Sequence, residues 1–190
     1  MNDRDDELQR ISELRPEYLA LGLLAQGSSH GYELFRRFQT SLDRLWHISE
    51  SQFYAILKRA EKHGLVTGLA PQKGEGTSRR LLSLSLAGQC RFDEWIMEPT
   101  VSSPRLLHLE FTTRLFFARG LCPDNMARMV TDQIDTLSTE IERLKAARRE
   151  GIRFDEIEAL SAAFRLRQVE AALGWIREEI APLVGELSPV

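Results

Sequence analysis

The sequence predicts a mainly α-helical protein with one β-hairpin in its first half and a wholly helical second half. Apolar residues recur at helical spacing through most of the 190 residues, whereas residues 82–86 alternate leucine and serine, the period of a half-buried strand. Residues 98–105, EPTVSSPR, interrupt the helical pattern with two prolines and two serines. We therefore expect two domains, residues 1–98 and 99–190.

Composition narrows the functional classes. A chain of this length buries enough surface to fold without a disulfide or a structural metal. Its two cysteines, Cys90 and Cys122, form no CxxC pair and have no histidine at ligand spacing, so we expect no metal site. The polar start MNDRDDELQR does not resemble a signal peptide, and no apolar run approaches 18 residues. The prediction is a soluble cytoplasmic protein without a cofactor or a membrane partner.

The first two predicted helices differ in their apolar pattern. Residues 18–25 are apolar on nearly all sides, which is typical of a helix at the centre of a core. After the turn at residues 27–29, a second helix is amphipathic, and Ser28 or Ser29 can cap it. Tyr32 lies in its first turn, where the hydroxyl can reach a phosphate.

The third predicted helix has the clearest boundaries. Ser49 followed by Gln52 three residues later is a capping-box pattern, and Gly64 is placed to end the helix in a left-handed conformation. Its apolar residues share one face: Phe53, Ile56, Leu57 and Ala60. Polar and basic residues occupy the remaining faces.

A β-hairpin follows, with strands predicted at residues 65–69 and 79–86. The loop between them contains glycines and has basic residues at its margins. Alternation along the second strand places Arg80 on the side of the leucines and Arg79 on the opposite side, so Lys73 and Arg79 are the loop's predicted contacts. Ser85 can cap a fourth helix that contains Trp95.

The second half predicts a helix over 104–118 and then a long antiparallel hairpin of two helices. Each long helix has a heptad seam of apolar residues, and residues 148–153 form the turn between them. Because one hairpin need not bury two such seams completely, we expect a homodimer. The predicted dimer-interface residues are Ile134, Leu137, Ile141, Leu166, Leu173 and Ile176.

Charge is distributed unevenly along the chain. The net charge is -3, yet residues 31–91 contain ten Lys or Arg against five acidic residues, a local +5. A basic segment in an acidic chain indicates an anionic partner. Three helices followed by a hairpin with a basic loop is the order of a winged helix-turn-helix, in which the recognition helix enters the DNA major groove.

Three sequence strings in residues 17–97 resemble the PadR family of bacterial transcriptional regulators. They are GLLAQGSSHGYELFRRF at 22–38, WHISESQFYAILKRAEKHGLV at 46–66 and RRLLSLSLAGQCRFDEWI at 79–96. Residues 104–185 resemble the helical C-terminal domain of one branch of that family. The resemblance implies a homodimer that binds a pseudo-palindromic operator in double-stranded DNA, acts by default as a repressor, and responds to a small molecule or a modification.

Each polar position of the recognition helix has an expected role on DNA. Ser51 and Gln52 lie in the first turn, where side chains reach base edges, and glutamine can pair with adenine through two hydrogen bonds. Lys58 and Arg59 are expected to contact phosphates. The full predicted DNA-binding set is Tyr32, Ser49, Ser51, Gln52, Tyr54, Lys58, Arg59, Lys73 and Arg79.

Aromatic residues near the boundary between the two halves suggest an effector site. Trp95, Phe92 and Phe111 could line a pocket for a small apolar or aromatic molecule; the alternative is that these rings belong to the core.

Two other functions remain open. One is a winged helix that contacts proteins and not DNA, although the +5 segment disfavours it. The other is a helical enzyme, although residues 73–78 lack the GxxxxGK[ST] spacing of a phosphate-binding loop and no catalytic set is evident.

Overall fold

The structure, a computed structural model, describes residues 14–69, 80–149 and 156–187. These residues form two compact units, Leu14–Glu98 and a second that begins at Pro99. The elements of the first unit are α1 (Glu17–Ala25), β1 (Ser29–His30), α2 (Gly31–Ser41), α3 (Asp43–Trp46), α4 (Glu50–Lys62), β2 (Val66–Leu69), β3 (Leu81–Leu84) and α5 (Leu86–Met97). A mainly helical chain with a winged helix-turn-helix order is confirmed.

Helix α1 lies at the centre of the first unit. All seven residues from 18 to 24 are buried, as the all-round apolar pattern predicts. The helix packs against α2, α4, α5 and β3. It therefore holds α4 with its apolar side inward.

The sheet is antiparallel and has three strands in the order β1-β3-β2. In the predicted hairpin, Val66 pairs with Leu84 and Leu69 pairs with Leu81. The third strand, β1, has two residues, and its His30 pairs with Leu81; so short a strand leaves no alternation to detect in the sequence. Lys73 and Arg79 lie outside the described residues.

Local capping defines the ends of the first-unit helices. Ser49 caps α4 and Ser85 caps α5, each accepting a hydrogen bond from a backbone N–H three residues later. Gly64 has a φ of +71° after α4, as predicted.

The predicted cap of α2 is wrong, because His30 and neither Ser28 nor Ser29 occupies the N-cap position. Ser29 instead donates its hydroxyl to the carboxylate of Glu33 at 2.8 Å. This hydrogen bond, with the His30 backbone N–H, lowers the pKa of Glu33. The carboxylate therefore stays charged at the N-terminus of α2, where the helix dipole favours it.

The second unit is helical. Its elements are α6 (Pro104–Leu106), a π-helical turn (Leu107–Phe111), α7 (Thr112–Leu121), a 3₁₀ turn (Pro123–Asn125), α8 (Met126–Arg149), α9 (Glu156–Trp175), a second π-helical turn (Ile176–Ile180) and α10 (Ala181–Leu187). Helices α8 and α9 pack against each other. The predicted turn at 148–153 lies mostly outside the described residues.

A buried polar cluster lies in the second unit. The backbone N–H of Thr100 donates to Gln133 Oε1 at 2.7 Å, and Gln133 Nε2 donates to the Thr100 carbonyl at 2.8 Å. Arg114 donates from Nη1 to Thr100 Oγ1 at 2.6 Å, and its Nη2 lies 3.5 Å from the Glu110 carboxylate. The cluster ties the segment before α6 to α7 and α8.

The described residues contain neither a membrane-spanning helix nor a metal-binding cluster. No helix among them is long and apolar enough to cross a bilayer. Within the same ranges, no group of three or more His, Cys, Asp or Glu side chains is arranged to hold a metal ion. The assignment of DNA binding to residues 1–98 and of dimerisation to 99–190 stays a prediction.

Candidate nucleic-acid interface

Helix α4 separates its apolar and polar residues onto different sides. Its apolar residues are buried: Phe53, Ile56, Leu57 and Ala60. Ser51, Gln52, Lys58 and Arg59 are exposed to solvent. The polar side of the predicted recognition helix is therefore accessible to a macromolecular partner.

The first turn of α4 is organised by its cap. Gln52 Oε1 accepts from the Ser49 backbone N–H at 2.9 Å and lies 3.0 Å from Ser49 Oγ. Ser49 Oγ also lies 3.1 Å from Ser51 Oγ. The predicted pairing of Gln52 with adenine needs both its carbonyl oxygen and its NH₂ group, so base recognition competes with the cap for the oxygen.

A groove of about 370 Å³ runs beside α4, and we call it the Lys58 groove. It brings together three predicted DNA-binding residues, Tyr32, Tyr54 and Lys58. Its complete lining is Gly31, Tyr32, Tyr54, Leu57, Lys58, Glu61, Arg80 and Leu82. Tyr32 is 63% exposed, so its hydroxyl is open to an anion in the groove.

Tyr54 has one side against the protein and one side in the Lys58 groove. Its ring packs near Phe35 and Phe53 and so close to Gly31 that a Cβ there would lie 3.1 Å from the ring. Partial burial, with the nearby charge of Glu50, raises the pKa of Tyr54. The hydroxyl therefore stays protonated at neutral pH and can donate a hydrogen bond.

Arg80 and Glu61 also line this groove, and sequence reasoning left them out of the predicted set. Arg80 Nη2 lies 2.6 Å from Glu61 Oε1 and donates to the Gly68 carbonyl at 3.1 Å. Arg80 does lie on the same side as Leu82, as the alternation predicts, but that side faces the groove. The sequence feature that could have indicated this position of Arg80 is Gly68, which pairs with Leu82 on the neighbouring strand.

Arg59 lies in a different groove from Lys58. Successive residues of a helix point about 100° apart, and Arg59 lines a second depression of about 490 Å³ with Glu17, His63 and Arg91. We call it the Arg59 groove; its other lining residues are Ala60 and Leu65. The two basic residues, adjacent in sequence, are thus placed in unlike surroundings.

The three predicted effector residues are packed in the interior of their own units. Trp95 is 2% exposed and stacks on Tyr18 with a centroid separation of 4.4 Å, and Phe92 lies 5.8 Å from Trp95. Phe111 is buried in the second unit. A ligand would reach these rings only if the surrounding core opened; their role in effector binding stays a prediction.

Most of the predicted dimer-interface residues are buried within the single chain. Leu137, Ile141, Leu166, Leu173 and Ile176 are buried, and Ile134 is half-buried. Helices α8 and α9 pack against each other within the chain, so the role of these six residues in a dimer stays a prediction.

Helix α9 instead exposes another apolar stripe. Ile157, Leu160 and Phe164 are 72%, 66% and 65% exposed. At 100° per residue, Ala171 and Trp175 continue the same line. Gln168, Ala171, Ala172 and Trp175 form one wall of a largely apolar groove of about 330 Å³, opposite Pro104, Leu107 and His108. We call this stripe and groove together the α9 face.

Comparison with known proteins gives a consistent result for the first unit. Residues 20–94 match the family model described as Transcriptional regulator PadR-like family. The chain is 23% identical over 131 residues to the Negative transcriptional regulator PadR of Bacillus subtilis, covering 69% of this chain and 71% of that protein. It is 30% identical over 84 residues to the Probable transcriptional regulator Rv1176c of Mycobacterium tuberculosis, 44% of each.

Solved structures were also compared with this chain by their similarity in fold and sequence. The crystal structure of Bacillus subtilis PadR in complex with operator DNA matches with a TM-score of 0.40 and 20% identity. The match covers 90% of this chain and 98% of that chain.

Proposed function

We propose that the chain is a sequence-specific DNA-binding regulator of the PadR-like family, whose model matches residues 20–94, and that it acts as a homodimer on a pseudo-palindromic operator. Repression is the proposed mode, by likeness to the Negative transcriptional regulator PadR of Bacillus subtilis. The proposed setting is the bacterial cytoplasm. No catalytic function is proposed.

The observation that carries the proposal is the exposed polar side of α4 beside the Lys58 groove. An α-helix fits the major groove, where side chains of its first turn reach base edges. Lys58, Tyr32 and Tyr54 line the same groove, and lysine and tyrosine side chains bind phosphate oxygens. A partner rich in phosphate, and long enough to follow the whole helix, fits this surface.

Dimerisation is proposed through the α9 face. Contiguous exposed apolar surface marks a protein–protein interface, and a two-fold dimer uses the same patch on both copies. A second copy is the occupant that this function requires, because a palindromic operator presents two half-sites about 34 Å apart. The seam residues inside the α8–α9 packing are therefore replaced, in this proposal, by Ile157, Leu160 and Phe164.

The proposed regulation is release of DNA by a small apolar or aromatic effector, which rests on the likeness to the PadR-like family. Such a molecule shifts the protein between states only by its difference in affinity for them. The predicted effector contacts are Trp95 and Phe92 in the first unit and Phe111 in the second; each is buried in its own unit, so binding to any of them requires the packing around it to open.

The test is binding of the full-length protein to a duplex that it has selected from a randomised library. We expect one enriched, pseudo-palindromic sequence and a log affinity that falls linearly with log salt concentration, because phosphate contacts release counterions. Enrichment of no sequence, or affinity independent of salt, would contradict DNA-binding function and would favour a protein-interaction module.

Lys58→Ala and Arg59→Ala form a matched pair within this test. Each phosphate contact made by Lys58 contributes about 0.9 to the slope of log affinity against log salt concentration, which we call the salt slope. A homodimer that loses two such contacts should therefore have a salt slope smaller by about 2 and an affinity lower by about tenfold or more. The decrease should apply equally to selected and random duplexes. We expect a smaller change for Arg59→Ala, because Arg59 lines the other groove beside Glu17.

A further inference from the structure

We propose that Arg80 is a phosphate-binding residue of the Lys58 groove and that Glu61 and Gly68 position it for that role. This inference rests on the proposed DNA-binding function and deepens it. It adds a side chain from the base of the wing to the contacts expected from α4.

The first step is how Arg80 is held. Its Nη2 contacts both the Glu61 carboxylate, at 2.6 Å, and the Gly68 carbonyl, at 3.1 Å. One contact comes from the recognition helix α4 and the other from strand β2. The guanidinium is therefore fixed between the helix and the wing, although it is 44% exposed.

The second step is the space that Gly68 leaves. A Cβ at position 68 would lie 2.5 Å from Arg80 Nη2 and 2.6 Å from both Cζ and Nε. The guanidinium thus occupies the place where any other side chain at this position would begin. Gly68 lies within strand β2 and does not have a positive φ, so this space, and not an unusual backbone, is its specific contribution.

The third step is what the held guanidinium can do. Arginine has five N–H donors in a planar fork, and both described contacts use Nη2, so Nε and Nη1 lie on the remaining edges of the group. That group lines the same groove as Lys58 and the two tyrosines. An arginine held in one geometry loses less side-chain entropy on binding and suits a phosphate, which accepts two parallel hydrogen bonds.

Glu61 also explains why Arg80 is not simply another mobile surface charge. An exposed ion pair contributes only about 0–1 kcal/mol to stability, so its effect is on the direction of the side chain. In this arrangement Glu61 is a positioning residue, and Arg80 is the residue that touches DNA.

The experiment compares Gly68→Ala with Arg80→Ala in the full-length protein, using the duplex selected by the wild-type protein. Gly68→Ala keeps every charge but displaces the guanidinium, and alanine in a strand does not disfavour folding relative to glycine. We expect Arg80→Ala to reduce the salt slope by about 2 per dimer. Gly68→Ala should lose about fivefold or more in affinity.

The double variant gives the decisive result. If Gly68 acts only through Arg80, the Gly68→Ala, Arg80→Ala protein binds no more weakly than Arg80→Ala alone. Losses that multiply, or a Gly68→Ala protein that binds as the wild type does, would overturn the proposal. Thr67→Ala, a small change at the neighbouring position of β2, is the control and should leave affinity unchanged.

Arg80→Lys provides a second test that does not alter the backbone of β2. Lysine keeps the charge but is a point cation without a fork, so we expect a nearly wild-type salt slope with a loss of affinity. Wild-type affinity for Arg80→Lys would count against positioning. If Lys58→Ala weakens binding as expected while the Arg80 variants do not, this inference alone fails; if the wild-type protein binds no DNA, the proposed function fails and this inference with it.

Discussion

Each unit of the molecule contains an arginine–glutamate pair, and the two pairs differ in their exposure to water. Arg114 and Glu110 of the second unit are 0% and 2% exposed, whereas Arg80 and Glu61 of the first are 44% and 33% exposed. Burial removes screening water and strengthens any interaction between charges. The same chemistry is therefore part of the core of one unit and, in our proposal, of the DNA-binding surface of the other.

The largest effect that this comparison predicts is on stability. Arg114→Ala removes a buried cation that contacts Thr100 and lies beside Glu110, and breaking a buried pair from one side costs about 3–5 kcal/mol. Arg80→Ala should cost less than about 1 kcal/mol, because its partner is exposed. Urea unfolding followed by circular dichroism measures both values.

DNA binding should also distinguish Arg80→Ala from Arg114→Ala. We expect Arg80→Ala to weaken DNA binding while it unfolds at nearly the wild-type urea concentration. Equal loss of stability in both variants would mean that exposure does not distinguish the two pairs, and the comparison would be wrong.

The next effect concerns apolar side chains, for which the two units also differ. Apart from tyrosines, the exposed large apolar residue of the described first unit is Leu86, whereas the second unit exposes a row of them on α9. Phe164→Glu places a charge in that row and should convert the proposed dimer to monomer. Because the second half-site is then no longer bound intramolecularly, operator affinity should fall by about a hundredfold or more.

Leu86→Glu is the matched control for this dimer prediction. Leu86 is 82% exposed and begins α5, where an acidic side chain is favourable. Sedimentation of the two variants at equal concentration measures the result. A Phe164→Glu protein that remains dimeric would remove the α9 face from the interface.

The sequence was most informative where the signals are local. Ser49, Gln52 and Gly64 define both ends of α4 through bonds and conformations within a few residues, and the structure confirms them. The apolar run at 18–24 predicts its own burial, because a helix with no polar face is stable only when other elements cover it on all sides. The fold class followed from such signals.

Longer-range features were harder to predict. Arg80 was placed on the correct side of its strand, but only the pairing of Leu82 with Gly68 leaves room for its guanidinium. The seam residues Leu137 and Leu173 are predicted at a dimer interface and are buried within the single chain, because a heptad pattern does not say whether the facing helix belongs to the same chain. Both features depend on which surfaces meet.

The smallest predicted effect concerns Gln52 at the start of α4. Its side chain both caps the helix and is predicted to contact a base. Gln52→Glu preserves the capping box, since glutamate serves there as well as glutamine, but it removes the NH₂ donor needed for adenine. Gln52→Ala removes both. We expect Gln52→Ala to lose about 0.5–1 kcal/mol of stability through the cap and Gln52→Glu to lose none, while both relax the preference at one or two base pairs in a repeated selection. If the preference survives in Gln52→Glu, the NH₂ donor is not needed and paired recognition of adenine by Gln52 is excluded; if it also survives in Gln52→Ala, base recognition belongs to another residue of the first turn.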